Sequence, residues 1–117
     1  MTFTTSKSLI SWTPICHYDD LTVEVGKAAF VKARQVALFR LSDNRIYALS
    51  NYDPFSGANV ISRGMIGTIS GEFVVYSPMY KQPFSLETGI CISDPRYGLT
   101  TYPIRIDSQG IIQIGGL

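Results

Sequence analysis

No window of this chain carries the i, i+3, i+4, i+7 apolar stripe of a helix. Its apolar residues come in short alternating runs, fenced by clusters of Gly, Pro, Asn, Asp and Ser. That punctuation leaves antiparallel hairpins as the main way to bury a core. Residue choice agrees: Thr, Val and Ile total 29 residues against 14 for Ala plus Leu, and β-branched side chains suit a pleated, half-buried surface. Strands are predicted over Trp12–Cys16, Ala28–Val31, Val36–Leu41 and Ile46–Ser50, the last two joined by the turn cluster Ser42-Asp43-Asn44-Arg45. Further hairpins are predicted from Thr68–Ser70 with Phe73–Tyr76, from Phe84–Leu86 with Ile90–Ile92, and from Tyr102–Ile106 with Ile111–Ile114. About nine short strands at this spacing predict an all-β fold, an antiparallel sandwich or small barrel built from hairpins. At 117 residues the chain is expected to form a single domain (1–117), with its core over about 11–115 and a frayed Gly115-Gly116-Leu117 end.

Several function classes are excluded by counting. Net charge is +1 with no basic or acidic run, so the electrostatic footprint of a nucleic-acid binder is missing. No stretch approaches the ~18 apolar residues of a membrane helix. Met1 to Ser11 holds no apolar core and no small-residue cleavage site, and a cytoplasmic protein is expected. Two cysteines and one histidine cannot complete a Cys₂His₂ zinc site or a biological iron–sulfur ligand set. Only 16% of residues are charged, against about 25% in typical domains, which favours a surface with a partner patch.

Individual residues have plain structural readings. Cys16 and His17 are adjacent on a strand and point to opposite faces, giving a buried Cys beside an exposed His. Cys91 alternates with Ile90 and Ile92 and reads as core, as does Trp12. Asp19-Asp20 reads as the cap of a short helical turn. More informative are two irregular stretches, Asn51–Gly64 and Ser77–Pro83. Each begins at a Pro-containing tetrapeptide, Asn51-Tyr52-Asp53-Pro54 and Tyr76-Ser77-Pro78-Met79. Long loops in a compact domain commonly carry function. Asp53 before Pro54 starts a turn whose carboxylate bonds nearby backbone N–H groups, and Ser77 before Pro78 reads the same way.

The stretch from Ala48 to Ala58 resembles the first cluster loop of a Rieske iron–sulfur domain, Cys-Pro-His-x-Gly-Ala. Asp53 stands at the first Cys position and Phe55 at the first His. The stretch Val75-Tyr76-Ser77-Pro78-Met79-Tyr80, followed by Phe84, Leu86 and Thr88-Gly89, resembles the second loop. Ser77 stands at its Cys and Tyr80 at its His. The resemblance continues through Tyr102-Pro103-Ile104-Arg105-Ile106 and spans about residues 11–115. All four ligand types are replaced, so no metal or cofactor is expected on this chain. Within Rieske-like proteins, the set Asn51, Asp53-Pro54-Phe55, Ser62-Arg63-Gly64, Ser77-Pro78, Lys81-Gln82, Phe84 and Leu86 is similar to the small subunit of the assimilatory, cytoplasmic NAD(P)H-dependent nitrite reductase.

That resemblance implies a non-catalytic subunit in nitrate assimilation. Its partner would be a large subunit carrying FAD, an iron–sulfur cluster and sirohaem, with no nucleic acid or membrane involved. The alternatives are a Rieske-type [2Fe-2S] electron-transfer ferredoxin and a β-barrel interaction module of another oxidoreductase. The replaced positions leave two readings for their side chains. Phe55, Met79 and Tyr80 either pack as a plug where a cluster would sit or join a docking surface, with the plug expected for Phe55 and docking for Tyr80, Arg63 and Lys81. Tyr52, Arg63, Met79, Tyr80 and Lys81 are the candidate interface residues.

Overall fold

The computed structural model describes residues 10–117. Strands follow the chain as β1 (Trp12–His17), β2 (Lys27–Val31), β3 (Arg34–Arg40), β4 (Ile46–Ser50), β5 (Tyr52–Asp53), β6 (Ala58–Asn59), β7 (Met65–Ile69), β8 (Glu72–Tyr76), β9 (Pro83–Ser85), β10 (Thr101–Tyr102), β11 (Ile104–Ile106) and β12 (Ile111–Gly115). The architecture follows from β3. Its run Val36-Ala37-Leu38-Phe39 is fully buried. Consecutive side chains leave a strand on opposite faces, so such a run needs cover on both sides. The central sheet, ordered β10-β4-β3-β2, is accordingly covered twice. Val36, Leu38 and Ala48 pack on Ile112 and Ile114 of the β1-β12-β11 sheet. Ala37, Phe39 and Leu49 pack on Val75 and Phe84 of the β7-β8-β9 sheet. Every named strand pairing is antiparallel.

Tight turns set the registers. Ser70 and Gly71 lie at φ 50° and 82° between the paired residues Ile69 and Glu72. Two positive φ values are what a two-residue hairpin turn requires to match strand twist. Lys32 and Ala33 do the same between Val31 and Arg34, at φ 48° and 64°. A Lys-Ala turn of this kind lacks the usual Asn-Gly signal, and each residue costs roughly 1–2 kcal/mol against a right-handed conformation.

Several expectations are corrected. Ile90–Ile92 is not a strand: Cys91 makes an isolated bridge to Phe84, and Ile90 bridges to Gly98. The expected hairpin with Phe84–Leu86 is thus present in reduced form: the one antiparallel bridge to Phe84 is flanked by the Ser85 N–H on the Ile90 carbonyl at 3.0 Å and the Ile92 N–H on the Pro83 carbonyl at 2.9 Å. The Tyr102–Ile106 run splits at Pro103, whose ring nitrogen has no N–H to donate. Tyr102 pairs with Ala48 in the central sheet, whereas Ile104 pairs with Ile114 in the first. The irregular stretch after β4 contains the small β5–β6 hairpin and a 3₁₀ turn, Ile61–Arg63. Trp12 is half-buried, with the Arg105 guanidinium 4.5 Å from its ring centre. The chain end is not frayed: Gly115 is buried in β12 and Leu117 packs on the second core cluster. The expectation about Met1 to Ser11 falls mainly on residues 1–9, outside the described residues.

After β1, a 3₁₀ turn (Tyr18–Asp20) is capped reciprocally. The Asp20 carboxylate accepts the His17 N–H at 3.2 Å, and His17 Nδ1 accepts the Asp19 N–H at 3.1 Å. The cap residue is therefore His17, with Asp20 as its partner. Cys16 is half-buried on the face it shares with Ile112, and His17 is half-buried against the Tyr18 ring. Cys91 is fully buried, as expected.

Candidate functional site

Strands β4 and β8 deliver the two irregular loops to one end of the fold. Asn51 anchors the first. Its side chain is buried, donating from Nδ2 to Gln35 Oε1 (3.1 Å) and to the Asn59 carbonyl (3.2 Å). Its Oδ1 accepts the Ser62 N–H at 2.7 Å. One amide thus ties the start, middle and end of the loop to β3. Both polar ends of Asn51 are satisfied, which is why a polar residue can sit there.

Asp53 is fully buried. Its Oδ1 accepts the Phe55 N–H at 2.9 Å, the local turn bond expected from Asp before Pro. Its Oδ2 accepts the Ser56 hydroxyl at 3.0 Å. The same Oδ2 also accepts the hydroxyl of Ser77, another fully buried residue, from the second loop. The two positions that match cysteines in the resemblance are thus hydrogen-bonded to each other. A buried carboxylate is costly unless its lone pairs are filled, and here three donors fill them.

The second loop closes tightly. Ser77 N–H donates to the Gln82 carbonyl at 3.0 Å, and Lys81 N–H donates to the Ser77 carbonyl at 2.9 Å. Lys81 takes φ 60° to complete it. The loop tip is turned outward, leaving Met79 56% and Tyr80 60% exposed. Neither residue plugs the space between the loops. Phe55 is the one of the three that packs inward: it is half-buried, with its ring centre 4.4 Å from Tyr97 and 6.0 Å from Phe84. Tyr52, Arg63 and Lys81 are exposed.

Gly64 shows why the Ser62-Arg63-Gly64 segment ends in glycine. A Cβ there would lie 2.3 Å from the Tyr76 carbonyl oxygen. This close approach seats the first loop against β8 and opens a groove of about 350 Å³. Arg63 and Lys81 border it, over Met65, Ile66, Tyr76 and Pro78. Over the Tyr97 ring, the Arg96 guanidinium bonds Asp94 at 2.8 Å and holds its carboxyl below the usual range. Elsewhere, burial and then the nearby Asp20 push the Cys16 thiol up.

The residues present do not fit a [2Fe-2S] centre. Phe55 has no lone pair to give, Tyr80 is exposed at the loop tip, and the Asp53 carboxylate is taken up by Ser77, Ser56 and the Phe55 N–H. Among the described residues, no three His, Cys, Asp or Glu side chains converge elsewhere. Sequence reasoning named Asp53 and Ser77 but not their contact, and it missed Asn51 as the hub and Tyr97 as the cover of Phe55. Asn51 carried a signal, a lone amide two residues before Asp53. Tyr97 carried none.

A central sheet covered on both faces, with two Pro-bearing loops clamped together at one end, defines a Rieske-like domain whose clamp is an Asp–Ser hydrogen bond. The family model described as a Rieske-like [2Fe-2S] domain matches residues 11–115. The chain is 39% identical over 106 residues to the nitrite reductase (NADH) small subunit of Escherichia coli, covering 90% of this chain and 97% of that one. A crystal structure from Mycobacterium tuberculosis, assigned to the NADH-dependent nitrite reductase small subunit, superposes with a TM-score of 0.88. That pair is 43% identical, covering 93% of this chain and 97% of the other. The chain is also 38% identical over 104 residues to part of the nitrite reductase [NAD(P)H] large subunit of Klebsiella oxytoca. That match covers 89% of this chain but 11% of the Klebsiella protein. The chain belongs to the family of nitrite reductase small subunits, within the Rieske-like domains.

Proposed function

We propose that this chain serves cytoplasmic, NAD(P)H-dependent reduction of nitrite to ammonium as a structural subunit. In this reading it docks on a large subunit that carries FAD, an iron–sulfur cluster and sirohaem, and it stabilises that assembly without passing electrons. The observation that carries the reading is the buried Asp53–Ser77 bridge. It consumes the donors that a redox centre would need and keeps the two loops together as a rigid tip. The Klebsiella match supports the partner: a stretch like this chain is part of a protein named as the large subunit, so in that protein the two parts share one polypeptide. The interface residues in this reading are Tyr52, Arg63, Met79, Tyr80 and Lys81, all exposed at the loop end.

The test is nitrite-dependent NAD(P)H oxidation by the large subunit at matched flavin and sirohaem content, with and without this chain. The chain is expected to lengthen the active half-life of the large subunit at working temperature. An activity and half-life indifferent to the chain would overturn the reading.

A further inference from the structure

The net charge of +1 conceals a separation of charge along the fold. The end opposite the loops is acidic. Asp19 and Asp20 lie in the turn beside Arg40, Asp43 in the β3–β4 turn and Asp107 in the β11–β12 turn. Glu72 and Glu87 line one groove there with Arg45 and Tyr47. The loop end is basic. Lys32 sits in the β2–β3 turn, Arg34 follows at the start of β3, and the Asn51 N–H bonds the carbonyl of the adjacent Gln35. Arg63 and Lys81 border the groove between the two loops. The carboxylates at this end are engaged: Asp53 is buried in its three bonds, and Asp94 is paired with Arg96. Glu24 borders an adjoining groove that shares Arg63, Gly64, Met65 and Ile66 with this one, and it makes no salt bridge to Arg63.

Among the described residues, neither Arg63 nor Lys81 makes a salt bridge. The groove between them has an apolar floor, and Met65 at its edge is 71% exposed. An exposed apolar floor flanked by two free cations, on a domain with few charges overall, is complementary to one kind of ligand. The geometry points to an acidic segment of the large subunit as the occupant of this groove, with an aliphatic side chain on Met65, Ile66, Tyr76 and Pro78 and a carboxylate held between Arg63 and Lys81. This rests on the subunit reading above and adds to it the seat and the chemistry of the contact. The acidic far end orients the chain as it approaches: a negative partner face attracts the loop end and repels the other.

The experiment is biolayer interferometry of the full chain on purified large subunit at about 0.05 and 0.15 M salt, where screening lengths differ. The wild-type chain binds, and more weakly at the higher salt. Arg63→Glu and Lys81→Glu each weaken binding at least about tenfold, as expected for reversal of a close interfacial charge. Met65→Glu does the same through the floor, whereas Glu87→Lys at the far end leaves affinity within about twofold. All four positions are exposed or half-exposed, so circular dichroism melts should match the wild type. If the wild type binds but none of the groove variants weakens it, the groove assignment is wrong and the subunit reading stands. If the wild type itself does not bind, both are overturned.

Discussion

Removing the Asp53 carboxylate should loosen the loop end more than any other single change there. In Asp53→Ala, the buried Ser77 hydroxyl and the Phe55 N–H lose their acceptor together. A buried donor left without a partner costs about 1–3 kcal/mol. Ser56 is only half-buried and can turn to water, so it adds little. The total is about 2–6 kcal/mol. Ser77→Ala removes one bond to a carboxylate that keeps two other donors, about 1.5–2 kcal/mol. For a chain of this size a loss of 1 kcal/mol lowers Tm by about 4 °C. The expected drops are therefore about 8–24 °C for Asp53→Ala and about 6–8 °C for Ser77→Ala. The double variant should melt close to Asp53→Ala alone, because both changes break the same bond. Thermal melts and urea titrations followed by circular dichroism measure all three. Two results would refute the reasoning: an Asp53→Ala protein within about 1 kcal/mol of wild type, or single effects that simply add.

Phe55→Ala opens space under Tyr97 and beside Phe84, and should cost about 1.5–3 kcal/mol in a urea titration, less than a fully buried Phe because the site is half-open. Gly64→Ala places a methyl against the Tyr76 carbonyl; it should destabilise by about 2 kcal/mol or more and displace the Ser62-Arg63 segment, visible as amide chemical-shift changes in both loops. Asp43 and Asp94 are held below the ordinary carboxylate value of 3.8, the first chiefly by the Arg45 N–H and the second chiefly by the Arg96 side chain. A depressed folded-state value means stability that is present above the unfolded value and lost as pH falls through the folded one. Replacing both by Asn should therefore lower stability slightly at neutral pH, by little since both pairs are largely exposed, and the variant and wild-type curves should converge as pH falls below about 3.8 through the folded-state values. The Cys16 thiol, pushed up by burial, should react with iodoacetamide more slowly at pH 8 than a free thiol, and Cys91 should react only on unfolding.

Much of the scaffold was legible because its signals are local. The turn at Ser42–Arg45 and the short apolar runs on either side predict β3 and β4, and the unbroken run Val36-Ala37-Leu38-Phe39 is what needs two covering layers. Non-local partners were not legible. Nothing near Trp12 says that β1 pairs with β12, and nothing near Thr101 says that β10 pairs with β4. Ile90–Ile92 alternates like a strand and does meet Pro83–Ser85, but the pairing stops at a single bridge, with Ile90 also bridging to Gly98. The β5–β6 hairpin is two residues a side, too short for any period to show.

The site divides in the same way. Asp before Pro announces the local bond to the Phe55 N–H. The bond to Ser77 spans 24 positions, and turn chemistry carries no information at that range. The family resemblance placed both residues at facing positions but described them by what they lack. Their geometry supplies what they do. The bulky residues divide in sequence only by their expected roles, Phe55 as a plug and Tyr80 as a docking residue, with nothing local to fix the direction of Met79. The direction each takes depends on the positive φ at Lys81 and on Tyr97 closing over Phe55.

A tip held by these protein hydrogen bonds needs no metal cluster to join its loops. The most direct measurement is iron and acid-labile sulfide in the anaerobically purified chain, with the visible spectrum before and after dithionite. The expected result is iron and sulfide far below one equivalent per chain, and no absorbance that bleaches on reduction. Stoichiometric iron and sulfide with such a band would contradict it and return the chain to the electron-carrying Rieske proteins.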